Sequence, residues 1–231
     1  MYNNLKRKVH FTAMKKILLF TRFIFNLLKV AKNPEKTEGI LKVSDILWKL
    51  GLLDSVVLLL KQDPHAERCI RERRLLSSYE INKLAKLPVG SLAETYARHM
   101  ISNNLKPDFY KKMQIGDDVT YFMMRMRETH DLWHVITGFG TDVPSELGLQ
   151  AFMIAQLQTP LSSILIASRT FFSTFKNPNE ISQIYNQLAK GWTMGREAHK
   201  IFALDWEENW ETPLSEIRAK FNVSVPADLR S

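Results

Sequence analysis

Apolar residues recur along most of this chain at steps of three and four positions, the spacing of one face of an α-helix. Residues 36–61 show the pattern with Ile40, Val43 and Leu47, and Gly51 is expected to interrupt it. A clean alternation of apolar and polar residues, bounded by Asn-Gly or Asp-Gly turns, does not occur. The pattern therefore predicts an all-α fold.

Start and stop residues divide the second half of the chain into further helices. Ser91 followed by Glu94 makes a capping box, and Gly138 and Gly140 can end a long helix. The predicted helices cover about residues 91–103, 118–138, 144–175 and 177–203, and a last short helix opens at Thr212-Pro213. Residues 147–172 are apolar enough to suggest a membrane span, but their Gln, Ser, Pro and Arg residues favour a central buried helix.

Length and cysteine content limit the architecture. A chain of 231 residues with 45% hydrophobic residues can bury one substantial core, and no linker-like stretch divides it. The single cysteine, Cys69, cannot form an internal disulfide, which fits a reducing compartment. We therefore predict a single-domain helical bundle in which any metal is held by histidines and carboxylates.

The net charge of +8 is concentrated at the N-terminus. Eight basic residues and no acidic ones precede Glu35, which leaves 24 basic residues to balance the 24 acidic ones. A nucleic-acid-binding protein usually carries its basic stripe on the folded domain, so we expect no nucleic-acid partner. The prediction is a basic appendage at residues 1–34 and a helical domain with the metal site at residues 35–231.

Residues 11–32 mix bulky apolar side chains with basic ones. Arg22 and Asn26 interrupt the apolar stretch, so it is too short and too charged to span a bilayer of about 30 Å. It is typical of a basic amphipathic helix on an anionic membrane surface, or of an organelle-targeting segment. The alternative is an ordinary first helix packed on the core.

The candidate chemistry lies at His130, Asp131, His134 and Glu146. In a helix with about 100° per residue, the two histidines are roughly 40° apart, and Asp131 is on the same arc. A hairpin through the Gly-containing connection would bring Glu146 beside them. Such a set suits zinc first, with iron, manganese or cobalt as alternatives and magnesium less favoured, and it leaves room for water or substrate.

Two alternatives stay open from the residues alone. Two histidines four positions apart also occur by chance, and Asp131 could orient an imidazole without binding metal. The zinc-protease pattern His-Glu-x-x-His has Glu where this chain has Asp131, one methylene shorter, so a peptide hydrolase is a weak third hypothesis.

Arginines are the candidate substrate-binding residues. Arg125 and Arg127 lie one to two turns before the site, and Arg169 lies on the apolar helix. A guanidinium can receive a carboxylate or phosphate through paired hydrogen bonds. For at least one of the three, a salt bridge or a solvated surface is the expected alternative.

Four ordered blocks of the sequence resemble the coenzyme Q (ubiquinone) biosynthesis protein four family. They are Leu87-Pro88-Val89-Gly90-Ser91-Leu92 with Tyr96-Ala97; Arg125-Met126-Arg127-Glu128; His130-Asp131-x-x-His134 with Glu146; and Gly191-Trp192, Gly195, Ala198, Leu204, Trp206-Glu207, Trp210, Pro213-Leu214 and Arg218. The resemblance covers about residues 35–225. Ser91 and Ala93 depart from the family's Thr and Gly.

The resemblance implies an all-helical, peripheral membrane protein of quinone biosynthesis. It implies a divalent metal at His130, Asp131, His134 and Glu146, and a reaction that replaces the ring carboxylate of a polyprenylated hydroxybenzoate by a hydroxyl. The other class of function is a non-catalytic prenyl-lipid-binding scaffold for the other quinone-biosynthesis enzymes. The resemblance also suggests a homodimer, at the cytoplasmic face of a bacterial membrane or the matrix face of the mitochondrial inner membrane.

Overall fold

The computed structural model describes residues 13–32, 37–106 and 113–229, and these contain eleven α-helices and no β-strand. The helices are α1 (Ala13–Lys32), α2 (Thr37–Lys49), α3 (Asp54–Leu60), α4 (Pro64–Glu72), α5 (Ile81–Leu84), α6 (Leu92–Ser102), α7 (Asp118–Thr137), α8 (Val143–Leu157), α9 (Pro160–Lys176), α10 (Ile181–Glu197) and α11 (Leu214–Lys220). The predicted all-α fold is confirmed.

Several predicted helix ends are confirmed by their capping contacts. Ser91 accepts a hydrogen bond from the backbone N–H of Glu94 at the start of α6. Gly138 ends α7 in the left-handed conformation with φ 78°. The chain turns at Gly51 between α2 and α3, where φ is 72°.

The single helix predicted over residues 144–175 is wrong, because the chain forms two helices there. Gln158 takes a left-handed conformation with φ 54° at the end of α8, and Pro160 starts α9. A proline ring lacks an N–H and restricts the preceding residue, so the helix cannot continue through this point. The helix predicted to reach about residue 203 likewise ends earlier, with α10, at Glu197.

The two helices also differ in burial. Most of α8 is buried, whereas α9 leaves Phe171 and Phe175 exposed. The prediction of one central buried helix therefore applies only to α8. Among the described residues, no helix combines the length and apolar character needed to cross a bilayer.

Helix α7 lies at the centre of the fold. It packs against α3, α4, α6, α8 and α11, and it buries Trp133 and Tyr121 almost completely. Helix α8 packs closely against α10, where a side chain at Gly191 would collide with the backbone of Gly148. This packing fixes α7 and α8 relative to each other and to the remaining helices.

Helix α1 packs against α2 and α9 along a narrow face that buries Val30. Phe23 is partly buried against the core, whereas Ile17, Phe20 and Phe25 are exposed. The helix predicted over residues 11–32 is thus present over the described part, while residues 1–12 of the predicted appendage lie outside the described residues. One face contacts the body of the protein and the opposite face presents apolar groups to the surroundings.

Candidate metal centre

Local capping places two histidines on one face of α7. The Asp117 carboxylate accepts from the backbone N–H of Thr120, whose hydroxyl oxygen accepts from the backbone N–H of Asp117. This capping box fixes where the helix begins. Because four residues make slightly more than one turn, His130 and His134 lie on the same face.

The turn after α7 brings Glu146 to this face. Asp142 caps α8 by accepting from the backbone N–H of Ser145, so Glu146 lies in the first turn of α8. Its Oε1 lies 3.1 Å from Nε2 of His134. The helical hairpin expected from the Gly-containing connection is therefore present, with the carboxylate beside the imidazoles.

Three side chains converge closely enough to share a cation. One donor atom each from His130, His134 and Glu146 lies within 4.8 Å of the others. The imidazole centroids of the two histidines are 4.8 Å apart, with the rings at 69° to each other. Since zinc binds nitrogen and oxygen at about 2.1 Å, small side-chain rotations would close the three donors round one ion.

The hydrogen bonding of His134 fits a metal ligand. Nδ1 of this ring lies 3.0 Å from the carbonyl oxygen of Phe139, which can only accept, so Nδ1 carries the hydrogen. In the neutral ring, the lone pair of Nε2 then points toward Oε1 of Glu146. Two electron-rich atoms facing each other are favourable when a cation binds between them. The alternative without a metal is a protonated imidazole that pairs with the carboxylate.

Asp131 stands apart from the three converging donors. Its Oδ1 lies 3.7 Å from Nδ1 of His130, and its donor atoms are not part of the close group formed by His130, His134 and Glu146. The structure thus brings together three of the four predicted ligands and places Asp131 where it can orient His130. Orienting carboxylates of this kind fix the ring and increase its basicity.

Electrostatics at the site favour a cation. Burial alone would raise the pKa of Glu146, but the neighbouring imidazoles lower it below the usual value. Burial would likewise raise the pKa of Asp131, and its contact with His130 reverses this. For His130, burial lowers the pKa, but the two carboxylates outweigh it and the net pKa is raised. Both acids are therefore ionised at neutral pH and supply two negative charges to the centre.

The structure adds a third histidine that the sequence reasoning missed. The ring of His99, on α6, stacks on that of His134 with centroids 5.5 Å apart and 21° between the planes. Burial lowers the pKa of His99. His99 is 31 residues before His130, and no sequence spacing relates the two helices, so only their packing could reveal this contact.

An apolar cavity of about 350 Å³ adjoins the metal centre. All four predicted ligands line it, together with apolar side chains from α1, α2, α7, α8 and α9; these include Val30, Leu41, Met123, Met126, Met153 and Leu165. Its size is in the range of pockets that hold small organic ligands. The arrangement places a candidate cation site at one part of a mostly apolar cavity.

The three arginines have different surroundings. Arg125 is buried and donates to the carbonyl oxygens of Arg74, Phe202 and Leu204, and it is not among the cavity-lining residues. Its guanidinium therefore ties α7 to neighbouring segments, which corrects its predicted place in substrate binding. Arg127 and Arg169 do line the cavity.

Arg127 lies in the wall of the cavity. Its Nη2 lies 3.1 Å from Oδ1 of Asp45 on α2, and its side chain is 13% exposed. This ion pair holds a positive charge in the cavity wall near His130. No sequence pattern indicated Asp45, because the pairing joins residues 82 positions apart.

Comparison with known proteins identifies related sequences and a related fold. The curated relatives include ubiquinone biosynthesis protein coq4, mitochondrial, of Talaromyces stipitatus, 31% identical over 173 residues that cover 72% of this chain and 58% of that protein. The COQ4 homolog of Rattus norvegicus is 29% identical over 173 residues, which cover 72% of this chain and 64% of that protein. The chain thus matches about three fifths of the length of these relatives.

A solved structure extends the comparison to the fold. A Nostoc punctiforme protein described as a ubiquinone biosynthesis protein superposes with a TM-score of 0.82 at 31% identity, covering 89% of this chain and 97% of that one. Residues 5–227 match the family model described as coenzyme Q (ubiquinone) biosynthesis protein Coq4. The chain therefore belongs to the Coq4 family of ubiquinone biosynthesis proteins.

Proposed function

We propose that this protein is a metal-dependent oxidative decarboxylase of a polyprenylated hydroxybenzoate, acting at a membrane surface. The observation that carries the proposal is the convergence of His130, His134 and Glu146 at the wall of an apolar cavity. A polar aromatic head fits beside such a centre, and an apolar prenyl group fits the remaining wall. Zinc is the metal the donor set favours first, with iron, manganese, cobalt and magnesium as alternatives.

The reaction breaks the bond between the ring carbon and the carboxyl group and forms a carbon–oxygen bond at the same carbon. With dioxygen as oxidant, one oxygen atom becomes the hydroxyl substituent on that ring carbon, and the carboxyl group leaves as carbon dioxide. The second oxygen atom leaves as water, for which an external donor supplies two electrons and two protons. A bound divalent metal would supply an electron-pair acceptor for the carboxylate or phenolate of the substrate.

The protein's own residues orient the components. The Phe139 carbonyl and the stacked His99 fix the ring plane of His134. Asp131 performs the same task for His130. Arg127, held by its ion pair with Asp45, offers guanidinium donors in the cavity wall to a substrate carboxylate. A mostly apolar wall lowers the local dielectric, which strengthens these interactions with a bound head group.

The metal requirement can be tested with a matched pair of histidine variants. We expect His134→Ala to abolish both the metal content of the purified protein and the conversion of a prenylated hydroxybenzoate. His65→Ala, which removes an exposed histidine of α4, should change neither. Metal would be measured by mass spectrometry of the protein as purified, and product by its loss of the carboxyl group. Conversion by metal-free protein would refute the proposal.

The second candidate is a prenyl-lipid-binding scaffold for the other quinone-biosynthesis enzymes, in which the metal is structural. The observation that favours it is the exposed apolar surface of α1 and α9, where Ile17 is 67%, Phe20 is 63% and Phe175 is 73% exposed. Surfaces of this kind mark interaction sites. Metal-loaded protein that binds lipid and partner enzymes but yields no product with dioxygen and a reductant would favour the scaffold over the enzyme.

Peripheral membrane binding is common to both candidates. Arg22 and Lys29 accompany the exposed apolar residues of α1, a combination that suits anionic lipid. We expect the protein to float with vesicles of phosphatidylcholine containing anionic lipid, and less with phosphatidylcholine alone. Phe20→Ser should weaken flotation, whereas Ser102→Ala, which alters an exposed polar residue at the end of α6, should not. Equal flotation of both variants would contradict this role of α1.

A further inference from the structure

A buried amide lies in the cavity wall one helical turn beyond Glu146. Gln150 lines the cavity and is 8% exposed. The hydroxyl of Ser162, on α9, donates to its Oε1 over 2.6 Å, and Ser162 is itself only 1% exposed. This contact sets the rotation of the amide, because Oε1 must face α9.

The amide nitrogen of Gln150 then needs an acceptor. A side-chain amide carries two N–H donors in addition to its oxygen, and a buried donor without a partner is unfavourable. Among the described residues, no hydrogen bond from this nitrogen to a protein acceptor is found. A ligand oxygen in the cavity can supply that acceptor, because the residue borders the cavity.

The spacing along α8 matches an aromatic ring that carries two polar groups at opposite ends. Gln150 follows Glu146 by four residues, which is a rise of about 6 Å along the helix axis. In a para-hydroxybenzoate the carboxyl carbon and the phenol oxygen are also roughly 6 Å apart, because bonds of about 1.5 Å extend from opposite corners of the ring. A head group whose carboxylate lies at the metal centre thus brings its para oxygen level with Gln150.

We propose that Gln150, oriented by Ser162, is a specificity-determining residue that donates a hydrogen bond to the ring oxygen opposite the substrate carboxylate. The inference rests on the proposed function and adds the residue that selects the head group. A neutral donor that faces the cavity favours a ring carrying that oxygen by about the worth of one hydrogen bond. The residue positions and selects the substrate and takes no part in the bond changes.

The test compares two probes that differ by one oxygen atom: 3-geranyl-4-hydroxybenzoate and 3-geranylbenzoate. Their affinities for the full-length, metal-loaded protein would be measured by calorimetric titration. We expect the parent protein to prefer the hydroxylated probe by about fivefold, the ratio that one neutral hydrogen bond provides. In Gln150→Leu this preference should fall to about one, chiefly through weaker binding of the hydroxylated probe.

Two further variants separate this role from general packing. Ser162→Ala should reduce the preference by about half, because the amide is then free to rotate. Met153→Leu, a conservative change at another cavity-lining residue of α8, should leave it unchanged. If Gln150→Leu does not fold, the probe preference of the parent protein and its decrease in Ser162→Ala still test the role of Gln150.

The outcomes distinguish this inference from the proposed function. A parent protein that binds both probes equally well overturns the role of Gln150 and leaves the proposed function intact. The same holds if Gln150→Leu weakens both probes by the same factor. A parent protein that binds neither probe refutes the proposed function, and the inference about Gln150 fails with it.

Discussion

Replacing Gly191 by alanine should disturb the metal centre from a distance. Gly191 is on α10, where this helix crosses α8, and an added Cβ would lie 1.9 Å from the carbonyl oxygen of Gly148. It would also lie 3.2 Å from the backbone nitrogen of Phe152. These are backbone atoms of a second helix, so no side-chain rotation can relieve the collision and the helices must move apart.

The size of the effect follows from two opposing contributions. Overpacking in a well-packed core destabilises by about 1–3 kcal/mol, and a backbone collision this close belongs at the upper end. Alanine favours the helix over glycine by about 1 kcal/mol, which offsets part of the loss. The expected net loss is about 2 kcal/mol, or a decrease in Tm of roughly 4–8 °C for a protein of this size.

Thermal unfolding and metal titration of the purified variant would check both consequences. Because α8 carries Glu146, its displacement should also weaken metal binding. The matched control is Gly116→Ala, since a Cβ at Gly116 meets no atom within 4 Å; its stability should change by less than about 0.5 kcal/mol. A Tm for Gly191→Ala equal to or above that of the parent would refute the close-packing argument.

Three other changes test separate parts of the structure. Arg125→Met removes the guanidinium that donates to three backbone carbonyls, although the Arg74 carbonyl keeps a hydrogen bond from the Tyr121 hydroxyl. The variant should be destabilised by about 3 kcal/mol in urea unfolding; a stable variant that loses only substrate affinity would restore the predicted binding role of Arg125. Partial burial raises the pKa of Asp118, but Lys61 and Arg73 outweigh it, so the pKa is lower in the folded protein than in the unfolded chain. The ionised carboxylate therefore stabilises the fold above the unfolded-state pKa, and this stabilisation is lost as pH falls through the folded-state pKa. Asp118→Asn should therefore reduce the loss of stability below about pH 4 and cost less than about 1 kcal/mol at neutral pH, because both pairs are partly exposed; an unchanged acid profile would contradict this. His99→Phe keeps an aromatic ring stacked on His134 and should retain metal content and Tm. His99→Ala removes that ring and should lower metal affinity by about tenfold; equal metal affinity in the two variants would show that stacking does not position His134.

Local patterns were sufficient for the elements and for most of the metal centre. The helical spacing of apolar residues, the cap at Ser91 and the left-handed Gly138 depend only on residues within one or two turns. The same holds for His130 and His134, which share a helix face because of the helix period alone. Glu146 required one further step, a short reversal of the chain, which the glycines of the connection indicated.

Prediction from sequence failed where local patterns were ambiguous. The long apolar run after Glu146 suggested one buried helix, because its apolar residues continue past Pro160. The helix nevertheless ends before Pro160, because proline lacks a backbone N–H and its ring clashes with the preceding turn. The resulting pair of helices is what allows Ser162 to turn back and contact Gln150.

The sequence by itself determined that His130 and His134 share one helix face as candidate metal ligands, since this depends on helix geometry over a few residues. Only the tertiary structure decided that Arg125 binds backbone carbonyls, that His99 supports His134, and that the cavity extends from the metal centre. These contacts join residues that are far apart in the chain, and their partners depend on how whole helices pack. Packing of that kind is set by the summed shape of many side chains, which no local spacing rule encodes.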